Sequence, residues 1–212
     1  MPKVSLKMHA LVAVVLGLLV FIAYAPIMNL SFLSDDWAII RLVTRPDAVT
    51  NWTEILRDFY SPLFFHDKSS FYRPLYGLSY GVNFWLFGTS PLGYHLTNLV
   101  LHLVSAFFIY RIALELVEGD NTWGIAVTAG ALFALYPIHP EAVTWVAGRV
   151  DLIAAAFYFP ALFFFLRWLR TERKRYLLLS ITCFALALMS KEMAVTLPGV
   201  LLLCALYKRQ GV

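Results

Sequence analysis

Residues 93–117 read GYHLTNLVLHLVSAFFIYRIALELV, a mostly apolar run that is long enough to cross a membrane as one helix. At 1.5 Å per helical residue, about 20 apolar residues cross the roughly 30 Å of hydrocarbon in a bilayer. Within the run, His95, Asn98 and His102 lie at i, i+3 and i+7 and share one helix face. Because exposing that face to lipid is costly, we expect it to point into a helical bundle.

The composition of the whole chain is typical of a membrane protein. Its 212 residues are 60% hydrophobic and only 14% charged, whereas a soluble domain carries about 25% charged residues. The basic residues flank apolar runs rather than forming an aromatic-interleaved patch, so we expect no nucleic-acid partner. Cys183 and Cys204 lie inside apolar stretches without disulfide or metal-site spacing, and we interpret them as core thiols.

Other apolar runs predict further spans. Besides 93–117, they cover about residues 9–33, 151–169, 176–189 and 193–207. Two shorter runs, at 74–87 and 122–138, are ambiguous because they reach at most about 17 residues.

The basic residues decide between the ambiguous runs, because Lys and Arg concentrate in short cytoplasmic loops. The densest basic stretch is 167–175. If 122–138 spans and 74–87 does not, the side holding that stretch carries ten basic residues against four acids, for +6. The other side carries seven against nine, for −2. We therefore predict an all-α polytopic bundle of about six spans over residues 1–212, a single transmembrane domain with both termini cytoplasmic.

The first apolar run admits a second interpretation. Two lysines precede it, and its small residues near Ala25 are typical of a cleaved signal peptide. Pro26 follows at once, and the apolar character continues to Leu33, which favours a retained anchor.

Residues 34–92 form the predicted first extracytoplasmic loop. Apolar residues recur at helical spacing over 52–59, and Asn51 followed by Glu54 has the spacing of a capping box. This pattern predicts an amphipathic helix in the membrane interface. The run 74–87 begins with a proline suited to a first helical turn and predicts a second interfacial or re-entrant helix.

Charged and imidazole side chains collect at the predicted non-cytoplasmic ends of the spans. Asp35 and Asp36 follow the first span, where adjacent carboxylates can supply a general base, a cation ligand or solvated helix-end acids. Further members follow the third and fifth spans: His139, Glu141, Arg149, Asp151, Lys191 and Glu192. Arg149 suits either a phosphate or a local ion pair with Asp151 or Glu141. Their common side predicts a shared aqueous cleft.

Six short motifs occur in order along the chain. They are SDDW at 34–37, YRPL at 72–75, GYHLTNL at 93–99, LFALYPIHPE at 132–141, GRVD at 148–151 and SKE at 190–192. Together they resemble the membrane region of the transmembrane and tetratricopeptide-repeat O-mannosyltransferases and their prokaryotic relatives, within the GT-C superfamily of glycosyltransferases. The resemblance runs from about residue 35 to residue 206.

The resemblance implies transfer of a sugar, with mannose expected, from a polyprenyl-phosphate donor to a hydroxyl of a protein or glycan acceptor. Transfer occurs on the extracytoplasmic side with inversion at the anomeric carbon. Asp35 or Asp36 would be the catalytic base or hold a cation. Donor-phosphate contacts would come from Arg73, Arg149 and Lys191. Supporting pocket residues would be His95, Asn98, His102, His139, Glu141, Asp151 and Glu192. A divalent cation stays open, with Asp36, His139 and Glu141 as candidate ligands.

GT-C modules generally have at least seven spans, so the resemblance implies that this chain is the N-terminal part of a module. A further subunit or domain would supply the missing spans. The expected location is the plasma membrane in a prokaryote or the endoplasmic reticulum in a eukaryote. The alternative function is a noncatalytic membrane protein that binds or moves a lipid-linked sugar, or an inactive fragment.

Overall fold

The computed structural model describes residues 4–61 and 71–209. Its α-helices are α1 (Leu6–Tyr24), α2 (Ser34–Leu42), α3 (Trp52–Arg57), α4 (Pro74–Phe87), α5 (Pro91–Leu116), α6 (Thr122–Leu135), α7 (Pro140–Thr144), α8 (Arg149–Thr171), α9 (Lys174–Leu188) and α10 (Leu197–Arg209). Short 3-10 helices cover Ala25–Asn29, Val146–Gly148 and Glu192–Thr196. Within these ranges the only β pairing is an isolated bridge between Thr44 and Thr50. The predicted all-α fold is confirmed.

Three helical segments are long and apolar enough to cross a membrane. They are Leu6–Asn29, Pro91–Leu116 and Val146–Thr171. Helices α6, α9 and α10 lie where the sequence predicts three more spans, but they have 14, 15 and 13 residues, fewer than the roughly 17 to 25 of a typical spanning helix. The chain is therefore an integral membrane protein by length and composition, and the count of six spans stays a prediction.

Helix α5 lies at the centre of the bundle, in contact with α1, α4, α6 and α8. His95, Asn98 and His102 are all buried, so the predicted inward face is confirmed. Asn98 bonds to the start of α8 and Glu115 pairs with its far end, so the two helices run parallel.

Small residues bring α6 close to α5. Ala126, Gly130 and Ala134 recur every four residues along the buried face of α6. A side chain on Gly130 would place its Cβ 3.2 Å from the carbonyl oxygen of Ala106. Small-residue stripes of this kind let membrane helices approach closely and gain van der Waals contact, because lipid provides no hydrophobic driving force for helix association.

Helix α1 presents one buried stripe to α5 and α6. Its members are Val12, Leu16, Val20 and Tyr24, four residues apart. Most of its remaining large apolar side chains are exposed, as expected of a helix that faces lipid. This packing is that of an integral helix of the bundle, and the retained-anchor interpretation stays a prediction.

The two helices predicted in the first loop are both present. The Asn51 side chain accepts a hydrogen bond from the Glu54 amide, but Glu54 itself pairs with Arg57, so only half of the capping box forms. Helix α3 ends at Arg57 and packs on α4 through Ile55. The two helices approach closely at Gly81, where an added Cβ would lie 2.3 Å from the Ile55 side chain. Their interfacial placement stays a prediction, and residues 62–70 of this loop lie outside the described ranges.

Candidate functional site

Predicted site residues meet in a cleft at the end of the bundle where α5 and α8 begin. The cleft has a volume of about 590 Å³, within the range of small-molecule sites. Four predicted residues line it, namely Asp35, Arg73, Glu141 and Asp151, together with Tyr76 and Trp145. These side chains come from α2, the start of α4, α7 and α8, so only folding brings them together.

Asp35 and Asp36 have different surroundings although they are adjacent. Asp36 is buried, and its two carboxylate oxygens accept hydrogen bonds from the amides of Leu33 at 2.9 Å and Ala147 at 2.8 Å. Burial raises the pKa of Asp36 above its ordinary value, and the two amide hydrogen bonds oppose that shift. Asp35 is exposed in the cleft and has no hydrogen bond or ion pair with any described residue. Of the two acids, Asp35 is the one that a substrate can reach.

Arg149 is fully buried rather than facing the cleft. Its guanidinium donates to Asn98 Oδ1 at 2.9 Å, to Asn83 Oδ1 at 2.5 Å and to the Tyr94 carbonyl at 2.9 Å. The geometry does not support a contact between Arg149 and a donor phosphate. The local ion pair with Asp151 or Glu141 is also absent from the described contacts.

The burial of this charge is compensated mainly by neutral groups. Removing an ion from water costs several kcal/mol unless hydrogen bonds and charges offset it. Besides its three acceptors, Arg149 lies 4.8 Å from the ring centre of Tyr80 and 5.4 Å from that of Tyr94, contacts that are worth about 2 kcal/mol when desolvated. The Asp36 carboxylate adds an electrostatic attraction. Arg149 therefore organises the buried layer of side chains behind the cleft. We call this layer, which consists of Arg149 and the residues packed around it, the floor of the cleft.

Three residues of this floor, Asn83, Tyr94 and Tyr76, were not among the site residues predicted from the sequence. Asn83 connects α4 to α5, since it accepts from Arg149 and donates to Thr97 Oγ1 at 2.8 Å. Tyr94 contributes its carbonyl and its ring. The Tyr76 hydroxyl donates to the Ala147 carbonyl at 3.1 Å, and burial raises its pKa to about 12. Asn83 did leave a signal, because it is the only amide side chain in the apolar run 74–87.

Asn98 stabilises the segment from Val143 to Trp145, which forms one wall of the cleft. Its amide nitrogen donates to the carbonyls of Val143 at 3.1 Å and Trp145 at 3.3 Å, while its oxygen accepts from Arg149. The same side chain therefore connects the floor to the segment that carries Trp145. Asn98 does not line the cleft itself, and its supporting role stays a prediction.

The three predicted histidines lie between helices and do not line the cleft. His95 is within 3.3 Å of the Leu30 carbonyl, and its Nδ1 has no partner among the described residues. His102 is 3.0 Å from the Ala134 carbonyl. The His139 ring packs 4.6 Å from that of Phe133, and burial lowers the pKa of His139.

The candidate cation ligands do not converge. Both oxygens of Asp36 are taken by backbone amides, His139 packs among aromatic rings, and Glu141 lines the cleft. Among the described residues no group of three His, Cys, Asp or Glu side chains is arranged to hold a metal. Cys183 and Cys204 are free thiols, partly buried against the core formed with α8.

Two ion pairs close the rim of the cleft. Arg73 binds Glu192 through two contacts, of 2.6 Å and 3.1 Å, and Lys191 Nζ lies 2.5 Å from Asp151 Oδ1. The Arg73 guanidinium lowers the pKa of Glu192. Two of the three cations predicted to bind a donor phosphate, Arg73 and Lys191, therefore lie at the cleft with an acid as their present partner.

These features define a helical membrane protein with a charged cleft at one end of its spans. Residues 74–211 match the family described as dolichyl-phosphate-mannose-protein mannosyltransferase, and the chain belongs to that family. The predicted resemblance to O-mannosyltransferases is confirmed.

Curated relatives carry the same kind of name. The chain is 35% identical over 190 residues to protein O-mannosyl-transferase Tmtc1 of Drosophila melanogaster. The matched region covers 89% of this chain and 21% of the relative. It is 30% identical over 200 residues to protein O-mannosyl-transferase TMTC1 of Homo sapiens, and this match covers 88% of the chain and 22% of the relative. The chain thus spans about a fifth of the length of these relatives. No solved structure matches it significantly.

Proposed function

We propose that the chain forms part of a membrane mannosyltransferase that transfers mannose from a polyprenyl-phosphate donor to a hydroxyl of a protein acceptor. The observation that carries the proposal is the cleft in which Asp35, Arg73 and Asp151 meet from three separate segments. Family membership and the names of the relatives support the class of reaction.

Asp35 is the proposed general base. It is the exposed carboxylate of the cleft, and a carboxylate within hydrogen-bond reach can take the proton of an attacking hydroxyl. The acceptor oxygen then bonds to the anomeric carbon of the sugar while the bond from that carbon to the phosphate oxygen breaks. The proton ends on Asp35, the electron pair leaves with the polyprenyl phosphate, and a single displacement inverts the anomeric centre.

Arg73 and Lys191 are the proposed phosphate contacts. Each lies at the rim with an acid as its partner, so a phosphate that binds there replaces Glu192 or Asp151. A guanidinium or ammonium that stabilises the departing anion in a dry site is worth roughly 3 to 4 kcal/mol of barrier, or 10² to 10³ in rate. Arg149, Asn98 and His95 are positioning residues in this scheme.

The proposed topology has six spans with both termini cytoplasmic and the cleft on the extracytoplasmic side. The basic stretch at the opposite ends of α5 and α8 supports this orientation, since basic residues favour the cytoplasmic side. Helices α3 and α4 would lie in the interface and guide the polyprenyl chain. The membrane is the plasma membrane of a prokaryote or the endoplasmic reticulum of a eukaryote, and a further subunit or domain completes the module.

The test is transfer of radiolabelled mannose from a polyprenyl-phosphate-mannose pool to an acceptor peptide by the purified chain in lipid. Asp35→Asn should abolish transfer without lowering the unfolding midpoint, because Asp35 makes no described contact. Asp47→Asn is the matched control, as Asp47 is an exposed acid outside the cleft. Full activity of Asp35→Asn would overturn the role of Asp35. Donor binding without transfer by the wild type would mean that catalysis requires the further subunit or domain that completes the module.

A further inference from the structure

A second charged cluster lies at the opposite ends of α5 and α8 from the cleft. Asn98 bonds to the start of α8, whereas Glu115, seventeen residues further along α5, pairs with Arg167 near the end of α8. At 1.5 Å per residue the two contacts are about 26 Å apart along α5. That distance is close to the roughly 30 Å of bilayer hydrocarbon, so the second cluster belongs at the other membrane surface.

This cluster is strongly basic. Its six basic residues are Arg111, Arg167, Arg170, Arg173, Lys174 and Arg175, and its two acids are Glu115 and Glu172. The cluster therefore carries +4, the net charge of the whole chain. The remainder of the chain sums to zero, so the excess positive charge is concentrated here.

Glu115 is already engaged by two arginines. It is 4% exposed, and its two carboxylate oxygens contact Arg167 at 3.1 Å and Arg170 at 3.2 Å. A carboxylate that is buried and shared by two guanidiniums leaves the cluster with positive charge in excess. No ion pair joins Glu115 to Arg111 among the described contacts.

Arg111 forms no ion pair with an acid in the described part of the chain, although the Glu115 carboxylate attracts it electrostatically. It lies one turn before Glu115 and is partly buried, with its guanidinium carbon 4.7 Å from the ring centre of Phe163 and 5.9 Å from that of Phe107. It forms no hydrogen bond or ion pair with any side chain in the part of the chain that the structure describes. A guanidinium has five N–H donors in a planar fork that matches a phosphate.

We propose that Arg111, with the basic residues at the α8–α9 turn, binds the phosphate of an anionic membrane lipid. The shared chemistry is a phosphate oxyanion held by a guanidinium fork. The position of the cluster at a membrane surface selects a lipid headgroup over a soluble phosphate, since anionic lipid attracts basic residues that lie near its surface. Phe107 and Phe163 give the adjacent glycerol and acyl groups an apolar surface.

Native mass spectrometry of the full chain in a neutral detergent tests this assignment. Phosphatidylglycerol and phosphatidylcholine with identical acyl chains are the probes, and inorganic phosphate is added in a separate arm. The wild type should retain phosphatidylglycerol in preference to phosphatidylcholine. Arg111→Gln should weaken that preference on the order of tenfold, as expected for loss of a charge-assisted hydrogen-bond pair. Arg111→Lys keeps the charge but not the fork and should give an intermediate loss.

Arg45→Gln is the matched control, because Arg45 is an exposed arginine outside the basic cluster. It should leave lipid retention unchanged. Equal retention of the two lipids by the wild type, or equal losses in Arg111→Gln and Arg45→Gln, would overturn the proposal. Displacement of the lipid by millimolar inorganic phosphate would assign the site to a soluble phosphate instead. An unfolding midpoint for each variant separates loss of binding from loss of fold.

Discussion

The amide of Ala147 donates a 2.8 Å hydrogen bond to Asp36 Oδ1, across 111 residues of sequence. The carbonyl of the same residue accepts from the Tyr76 hydroxyl. The 3-10 turn before α8 is therefore held on both sides, by α2 and by α4. Ala147 and Gly148 of this turn, and Asp151 just after it, line the cleft. Asp36 therefore shapes the site by holding this turn in place.

Removing this tether should destabilise the protein. Asp36→Ala leaves the amides of Leu33 and Ala147 without their acceptor, and each unsatisfied buried group costs about 1 to 3 kcal/mol. Asp36→Asn keeps one carbonyl oxygen and should lose less. Unfolding midpoints in detergent measure both changes. An Asp36→Ala variant as stable as the wild type would contradict the tether.

The pH dependence of stability should also change at Asp36. Its pKa in the fold is raised above the ordinary 3.8, so the folded state binds more protons than the unfolded chain just above that pH. Stability from this group is fully present below about pH 3.8 and is lost as pH rises through the folded pKa. The difference in unfolding midpoint between the wild type and Asp36→Asn should therefore decrease as the pH rises through this window. A flat difference would argue against the shift.

Arg149→Lys should lower stability although it keeps the charge. An ammonium cannot reproduce a planar fork that reaches Asn83, Asn98 and the Tyr94 carbonyl together. Loss of one or two of these hydrogen bonds predicts a decrease on the order of 2 to 3 kcal/mol. The exposed Arg173→Lys is the control and should change stability little. Similar unfolding midpoints for the two variants would show that the fork is dispensable.

Gly148→Ala should disturb the wall of the cleft. The added Cβ would lie 2.9 Å from the Glu141 carbonyl oxygen and 3.1 Å from Ala142 Cα, both backbone atoms. Forced movement of this kind typically costs about 1 to 3 kcal/mol, and mannose transfer should decline with it. Gly199→Ala is the control, since a Cβ there meets nothing within 4 Å beyond its chain neighbours and the backbone of its own helix. A normal midpoint and normal transfer in Gly148→Ala would contradict the close approach.

The rim ion pair gives a prediction about the donor. Glu192→Gln frees Arg73 from its bidentate partner and should tighten donor binding, whereas Arg73→Gln should reduce transfer about 10² to 10³-fold. Donor titrations of transfer activity separate the two effects. Weaker donor binding in Glu192→Gln would mean that Glu192 itself contacts the substrate.

The apolar lengths and the helical spacing of the sequence were enough to predict an all-α membrane fold. They also predicted the inward face of α5 with His95, Asn98 and His102, and the short helices α3 and α4. These features are local, because the direction of a side chain around a helix follows from its spacing along the chain.

Only the tertiary structure decided which charged groups face the cleft. Asp35 and Asp36 are neighbours in sequence, and their roles differ because Ala147 lies against one and open space against the other. Arg149 is buried because Asn83 and Asn98, 66 and 51 residues away, supply its acceptors. Burial and pairing of a charge depend on which distant elements pack around it, and that packing is set by the whole bundle rather than by any local pattern.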